Sequence, residues 1–245
     1  MKILISLLIF LFAPQMMWAD NQLWQYSKND STKIVALLDE AKNEKEDTNF
    51  PLFFANKFIG IRYVASTLER NKTEKLVINL QELDCTTLVE NVLALTLCAK
   101  TKQYTFKQFC TFLQKIRYDN GVISYPTRLH YFSEWINDNT KQGFVKEINT
   151  PNPPFKSQQI LDLHYMSTQH HKYPMLVQNP SWIKEIRTME QMVSGKTVNY
   201  IPKGILNNSS LIKDIIKDGD IIAIVTAKKG LDTSHIGFAS WHNGQ

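Results

Sequence analysis

Near its C-terminus the chain reads DGDIIAIVTAKKGLDTSHIGFASWH (residues 218–242), two apolar runs joined by a short polar turn around KKGLD. That pattern predicts an antiparallel hairpin. In the second run, period-two alternation puts His235, Gly237, Ala239 and Trp241 on one face and Ile236, Phe238 and Ser240 on the other. The small Gly237 and Ala239 are expected to let another element approach closely. Asn243-Gly244, a strong hairpin signal, follows at once, and no return strand is written after it. The first half carries a different period. STKIVALLDEAK (31–42), with Ser31 as cap, the segment from Asp84 onward, and TFKQFCTFLQKIRY (105–118) all place apolar residues at helical spacing. Thr87 with Glu90, and Thr105 with Gln108, are spaced as capping boxes. FANKFIGIRYVASTLER (54–70) reads as an irregular segment between helices. The expected class is α+β: a helix-rich first half packed on a C-terminal antiparallel sheet that is incomplete at its C-terminal end.

A chain of 245 residues, 43% hydrophobic, with 9 Gly and 9 Pro, has the size and composition of one globular domain with a sizeable core. The proline-rich NTPNPPF (149–155) is a loop crossing between the two halves. A net charge of +5, spread along the chain, gives little support to nucleic-acid binding. MKILISLLIFLFAPQMMWA (1–19) reads as a secretory signal, too short and too broken by Pro14 and Gln15 for a membrane span. The expected mature protein is residues 20–245, a single domain, exported to the periplasm, with no membrane span. Cys85, Cys98 and Cys110 are the three cysteines, so at least one stands outside any internal disulfide.

Cys85 sits in LQELDCTTLVENVLAL, between an aspartate and two threonines at the start of an apolar helical run. The first turn of a helix offers unpaired N–H groups and partial positive charge, which favour a thiolate. Cys98 and Cys110 fall within apolar helical patterns and read as core residues, or as a Cys98–Cys110 disulfide where geometry allows. The polar neighbours of Cys85 favour a nucleophile over a packing residue.

A nucleophilic cysteine needs a base within hydrogen-bond reach. His170 and His171 lie in the loop-like TQHHKYP, His164 in LDLHYM, and His130 in YPTRLHYFSEW, a mixture of aromatic and polar groups closer to a binding wall than to a proton shuttle. A strand fixes the direction of His235, but spacing alone leaves its pairing with Cys85 open.

FIGIRYVASTLE, LDCTTLVENVLAL, YPTRLHYFSEW, YIPK and GDIIAIVTAKKGLDTSHIGFA, in that order, resemble the DUF1460 family, a branch of the NlpC/P60 cysteine-peptidase superfamily described as N-acetylmuramoyl-L-alanine amidase-like. The resemblance runs from about residue 33 to the end of the chain. It implies a papain-like core, Cys85 as nucleophile and His235 as base. It implies that Asp84 and Thr86 hold polar groups of the substrate and that Tyr63 lies beside the catalytic pocket. Arg128, His130 and Tyr131 would line a sugar or peptide subsite, and Lys203 likewise. The implied substrate is a muropeptide, cut between N-acetylmuramic acid and L-alanine, with no metal or organic cofactor. In NlpC/P60 enzymes a third polar residue, on the strand after the histidine's own, orients the base. That strand is not written before Gln245, and alternation turns His242 to the opposite face from His235. The expectation is a truncated chain or a polar group supplied from elsewhere.

Three rivals accompany this reading. A γ-D-glutamyl-diamino acid endopeptidase keeps the thiol chemistry and changes the bond. An inactive peptidoglycan-binding protein keeps the substrate and loses the chemistry. A zinc amidase using His164, His170 and His171 lacks any HExxH-like spacing.

Overall fold

The structure, a computed structural model, describes residues 23–148, 154–206 and 209–242. The signal segment 1–19, loop residues 149–153 and the Asn243-Gly244 turn lie outside the described residues.

The first half is built around one helix. After β1 (Trp24–Gln25) come α1 (Lys28–Ala41), α2 (Phe50–Asn56), β2 (Arg62–Tyr63), a 3-10 turn at Thr67–Arg70, β3 (Leu76–Val77) and β4 (Glu82–Leu83), which leads directly into α3 (Cys85–Lys100). β1 pairs with β3 and β2 with β4, both in parallel. α3 buries residues around most of its circumference, so it is the central element and not a surface helix with one apolar stripe. α1, α2 and α4 (Phe106–Arg117) pack around it. Ile34, Phe54, Val92, Leu113, Trp135 and Ile236 bring side chains from six parts of the chain into one core. A buried ion pair, Glu90–Arg117 at 2.7 Å, ties α3 to α4, and the same guanidinium donates to the Val77 carbonyl.

Two helix starts differ from the sequence expectation. α1 begins a turn earlier than Ser31, because Ser27 and Asp30 close a reciprocal capping box ahead of it. The box of α3 is Asp84 with Thr87, not Thr87 with Glu90; Glu90 is needed inside for Arg117. Thr105 does cap α4, accepting from the Gln108 N–H.

Past α5 (Phe132–Lys141) the chain forms β5 (Ser157–Ile160), α6 (Tyr165–Thr168), α7 (Pro174–Gln178), α8 (Trp182–Val193) and β6 (Thr197–Tyr200), with β5 and β6 antiparallel. Leu163, Met166, Leu176 and Ile186 form a second core. Tyr131 joins the two regions: its hydroxyl donates to Glu190 at 2.7 Å and accepts the Met166 N–H at 3.0 Å.

After α9 (Ser209–Ile215), β7 (Ile221–Val225) and β8 (Thr233–Phe238) form the anticipated antiparallel hairpin. β8 packs on α3. Ile236 is 5% exposed in the core, whereas His235 and its partner Ile224 stand on the open face. A Cβ on Gly237 would meet nothing within 4 Å, so the expected close approach over that glycine does not occur; α3 lies on the Ile236 side. The glycine that matters is Gly230, at φ +80°, in the hairpin turn. A Cβ there would come within 2.8 Å of the Tyr165 nitrogen and 3.0 Å of a His164 ring nitrogen, so the turn docks against the start of α6. The whole is a mixed helix and small-sheet arrangement of α+β class, and no helix among the described residues is long and apolar enough to cross a membrane.

Candidate active site

Cys85 is the first residue of α3. Its place is fixed by Asp84, whose carboxylate accepts the Thr87 N–H and hydroxyl, each at 2.8 Å, while the Thr87 hydroxyl accepts the Asp84 N–H at 2.9 Å. Both capping bonds end on the same oxygen of Asp84, Oδ1, so the cap uses one of the two carboxylate oxygens. It also leaves the N–H groups of Cys85 and Thr86, at the first two helical positions, without intrahelical partners.

In front of the helix start lies a cavity of about 160 Å³, whose walls include Cys85, Thr86, His130, Tyr131, Asp232 and His235. Leu129, Phe132 and Trp135 make its apolar side. The nucleophile and base expected from the sequence therefore face one space, the thiol from a helix start and the imidazole from a strand.

Tyr63 is not among the cavity walls but stands beside Cys85. The residue is 62% exposed, yet its hydroxyl lies beside the Cys85 thiol and backbone N–H. Loss of water, then the neighbouring Cys85 and Asp84, hold its pKa above the usual phenol value. The phenol stays protonated and able to donate.

His130 is fixed differently. Its Nε2 is 2.8 Å from the Tyr125 carbonyl, which must accept, so that nitrogen carries the hydrogen and Nδ1 is left as an acceptor. Burial first, and then the charge of Arg128, push its pKa down to about 3. A histidine so far from neutrality is a fixed neutral dipole and not a proton shuttle.

Two residues assigned to substrate by resemblance lie elsewhere. Arg128 is 5% exposed, not a cavity wall; its guanidinium hydrogen-bonds Glu69, faces Glu74 at 3.6 Å and stacks over Tyr125. The guanidinium is thus buried among Glu69, Glu74 and Tyr125 and is turned to them instead of to the cavity. Lys203 is exposed in the 3-10 turn Lys203–Ile205 and is not part of the cavity wall.

Asp232 escaped the sequence reading. It is 5% exposed, accepts the Thr233 N–H at 2.6 Å, and reaches the Ser133 N–H at 2.7 Å. α5 has no side-chain cap of its own, so Asp232 caps it from across the cavity and joins the His130–Phe132 wall to the strand of His235. Its sole sequence signal was an aspartate three residues before the histidine; its partner is 99 residues away.

All three cysteines are free, so the Cys98–Cys110 disulfide is not formed. Burial raises the Cys98 thiol to about 12 and pushes Cys110 up as well, which makes both inert core residues. His164 lies 3.7 Å from Asp162, and His170 sits against the Ser167 carbonyl. Among the described residues no group of three or more His, Cys, Asp or Glu side chains is arranged to hold a metal ion.

Residues 53–245 match the model of the AmiA-like family, described as N-acetylmuramoyl-L-alanine amidase-like. The chain belongs to that family. It is similar to an N-acetylmuramoyl-L-alanine amidase from Bacteroides uniformis, at 41% identity over 80% of this chain and 81% of that one, with a TM-score of 0.73. A Bacteroides fragilis protein carrying a provisional xylanase label is equally similar, at 41% identity over 78% and 82% of the two chains, TM-score 0.72. A Legionella pneumophila protein of family DUF1460 shares the fold at 23% identity, TM-score 0.67, over 88% and 81%. A search of curated proteins finds no match. The AmiA-like family is one of amidase-like cell-wall hydrolases, which gives the cavity its chemical context.

Proposed function

We propose that the protein is a cysteine-dependent N-acetylmuramoyl-L-alanine amidase of the NlpC/P60 superfamily, with a papain-like core formed by α3 and the β7–β8 hairpin. The observation that carries this reading is the convergence of Cys85 and His235 on one cavity at a helix start. Cys85 Sγ attacks the carbonyl carbon of the lactyl group, and His235 takes the thiol proton. The oxyanion forms at the helix start, where the N–H groups of Cys85 and Thr86 have no intrahelical partner; it takes the place of the Tyr63 oxygen at the Cys85 N–H, and the Tyr63 hydroxyl turns to donate to it. Collapse breaks the carbon–nitrogen bond, His235 returns the proton to the leaving α-amine of L-alanine, and water then hydrolyses the thioester. His130 Nδ1 accepts a hydrogen bond from an amide or hydroxyl of the substrate. Tyr131 shapes the same wall, its hydroxyl already engaged inside the protein.

Residues 20–245 form one domain in this account, released in the periplasm after removal of residues 1–19, where muropeptides are met. The bond is tested by incubating a disaccharide-tetrapeptide with the protein and weighing the products. The amidase yields an intact stem peptide with a free N-terminal L-alanine. A cut after D-glutamate would replace this reading with the endopeptidase one, and an untouched substrate with the binding one.

A further inference from the structure

The exposed ring of Tyr63 is held by little of its own packing, so its place beside Cys85 depends on the backbone strap that follows it. At its start the strap is tied by the two-residue β2–β4 ladder and by the Val64 N–H to the Leu83 carbonyl, 3.0 Å. Arg62 and Arg70 both reach Glu82, each at 2.6 Å, but these guanidinium groups are mostly exposed, and such pairs contribute little. The strap then passes through Ser66, a non-glycine residue at φ 61°, into the 3-10 turn. A strained residue of this kind persists only where its surroundings hold it.

What holds it is buried. Glu69, in that turn, receives a hydrogen bond from Arg128, and Glu74, just beyond, lies 3.6 Å from the same guanidinium and accepts the Tyr118 hydroxyl at 2.6 Å. A planar, permanently charged fork can engage two carboxylates from one segment at once, which a lysine cannot reproduce. We infer that Arg128 is a positioning residue that acts through the Thr67–Arg70 turn to hold the Tyr63 hydroxyl against Cys85. The inference deepens the amidase reading and rests on it for what Tyr63 does in turnover; the placement itself is testable without substrate.

The test is a double-variant cycle over Arg128→Lys and Tyr63→Phe, read first as the rate constant for alkylation of Cys85 by iodoacetamide and then as kcat and KM on a disaccharide-peptide. Tyr63→Phe is expected to change the alkylation rate, and Arg128→Lys to change it in the same direction, by at least about twofold, the lower range for residues sharing a network. In the Tyr63→Phe background the effect of Arg128→Lys is expected to vanish. In turnover the two variants lower kcat more than they raise KM. Equal effects of Arg128→Lys in both backgrounds, or none in the native one, would overturn the inference. Where Arg128→Lys lowers the melting temperature too far for assay, Glu69→Gln takes its place, since it leaves Arg128 opposite Glu74. A chain that alkylates with the expected coupling but cleaves no muropeptide would sink the amidase reading and leave the placement of Tyr63 standing.

Discussion

Cys85 owes its direction to the residue before it. Because Asp84 spends one carboxylate oxygen on the Thr87 N–H and hydroxyl, the helix starts at the cysteine and nowhere else. Asp84→Ala is expected to cost about 1 kcal/mol of stability, the usual value of an N-cap, and to lower kcat, as thermal melts and turnover assays would register. This much was legible in the sequence, since cap and helix are adjacent; only the choice of Thr87 over Glu90 as closing partner was not, because Arg117 claims Glu90 from another helix. Arg128 was misread for a related reason. A motif marks that a residue matters, but the glutamates that bury Arg128 lie 54 and 59 residues away, so its partners cannot be seen locally. His130 supplies a pH prediction. Its folded pKa of about 3 lies below the roughly 6.5 of an unfolded histidine, so the unfolded chain binds the extra proton between those values. Its contribution to stability is present above about pH 6.5 and lost as pH falls toward 3. Replacing it with glutamine should flatten that part of the stability curve in denaturant titrations at stepped pH.

Among the elements, α3 and the β7–β8 hairpin carry the site, and both were visible as periodicities. α2 was not, because its short FPLFFAN segment begins before Phe54, where the sequence suggested only an irregular stretch; Asn49 as cap and Pro51 in the first turn start it. Two couplings between elements make predictions. The Glu90–Arg117 pair is 1–3% exposed at its side chains, so Glu90→Ala strands a buried guanidinium and is expected to cost about 3–5 kcal/mol in chemical denaturation. In α5, burial and the charges of Asp119, Asp138 and Asp232 raise Glu134 to about 8, with Lys196 opposing. Between about 4.3 and 8 the folded state holds a proton that the unfolded chain has released, so stability falls as pH rises through that window. Glu134→Gln should therefore raise the melting temperature at pH 8.5 relative to wild type more than it does at pH 5. An equal shift at both pH values would contradict this assignment.

At the scale of the molecule, the cavity is a meeting of three remote segments: the α3 start, the wall 129–135 and the strand of His235. Sequence patterns locate each segment, whereas their convergence is a tertiary fact; this is why Cys85 and His235 could be proposed separately and Asp232, which ties two of the segments together, could not. The same packing sorts the thiols. One cysteine of three should react with a thiol reagent in the native protein and all three after unfolding, a contrast that a spectrophotometric thiol titration reads directly. The central claim is that the Cys85 thiol opens the amide between N-acetylmuramic acid and L-alanine. It is tested most directly by incubating the native protein and its Cys85→Ala variant, both folded by circular dichroism, with purified disaccharide-peptide and following the products by mass spectrometry. The account predicts free stem peptide and disaccharide from the native protein alone; equal release by the Cys85→Ala variant, or none by either protein, would contradict it.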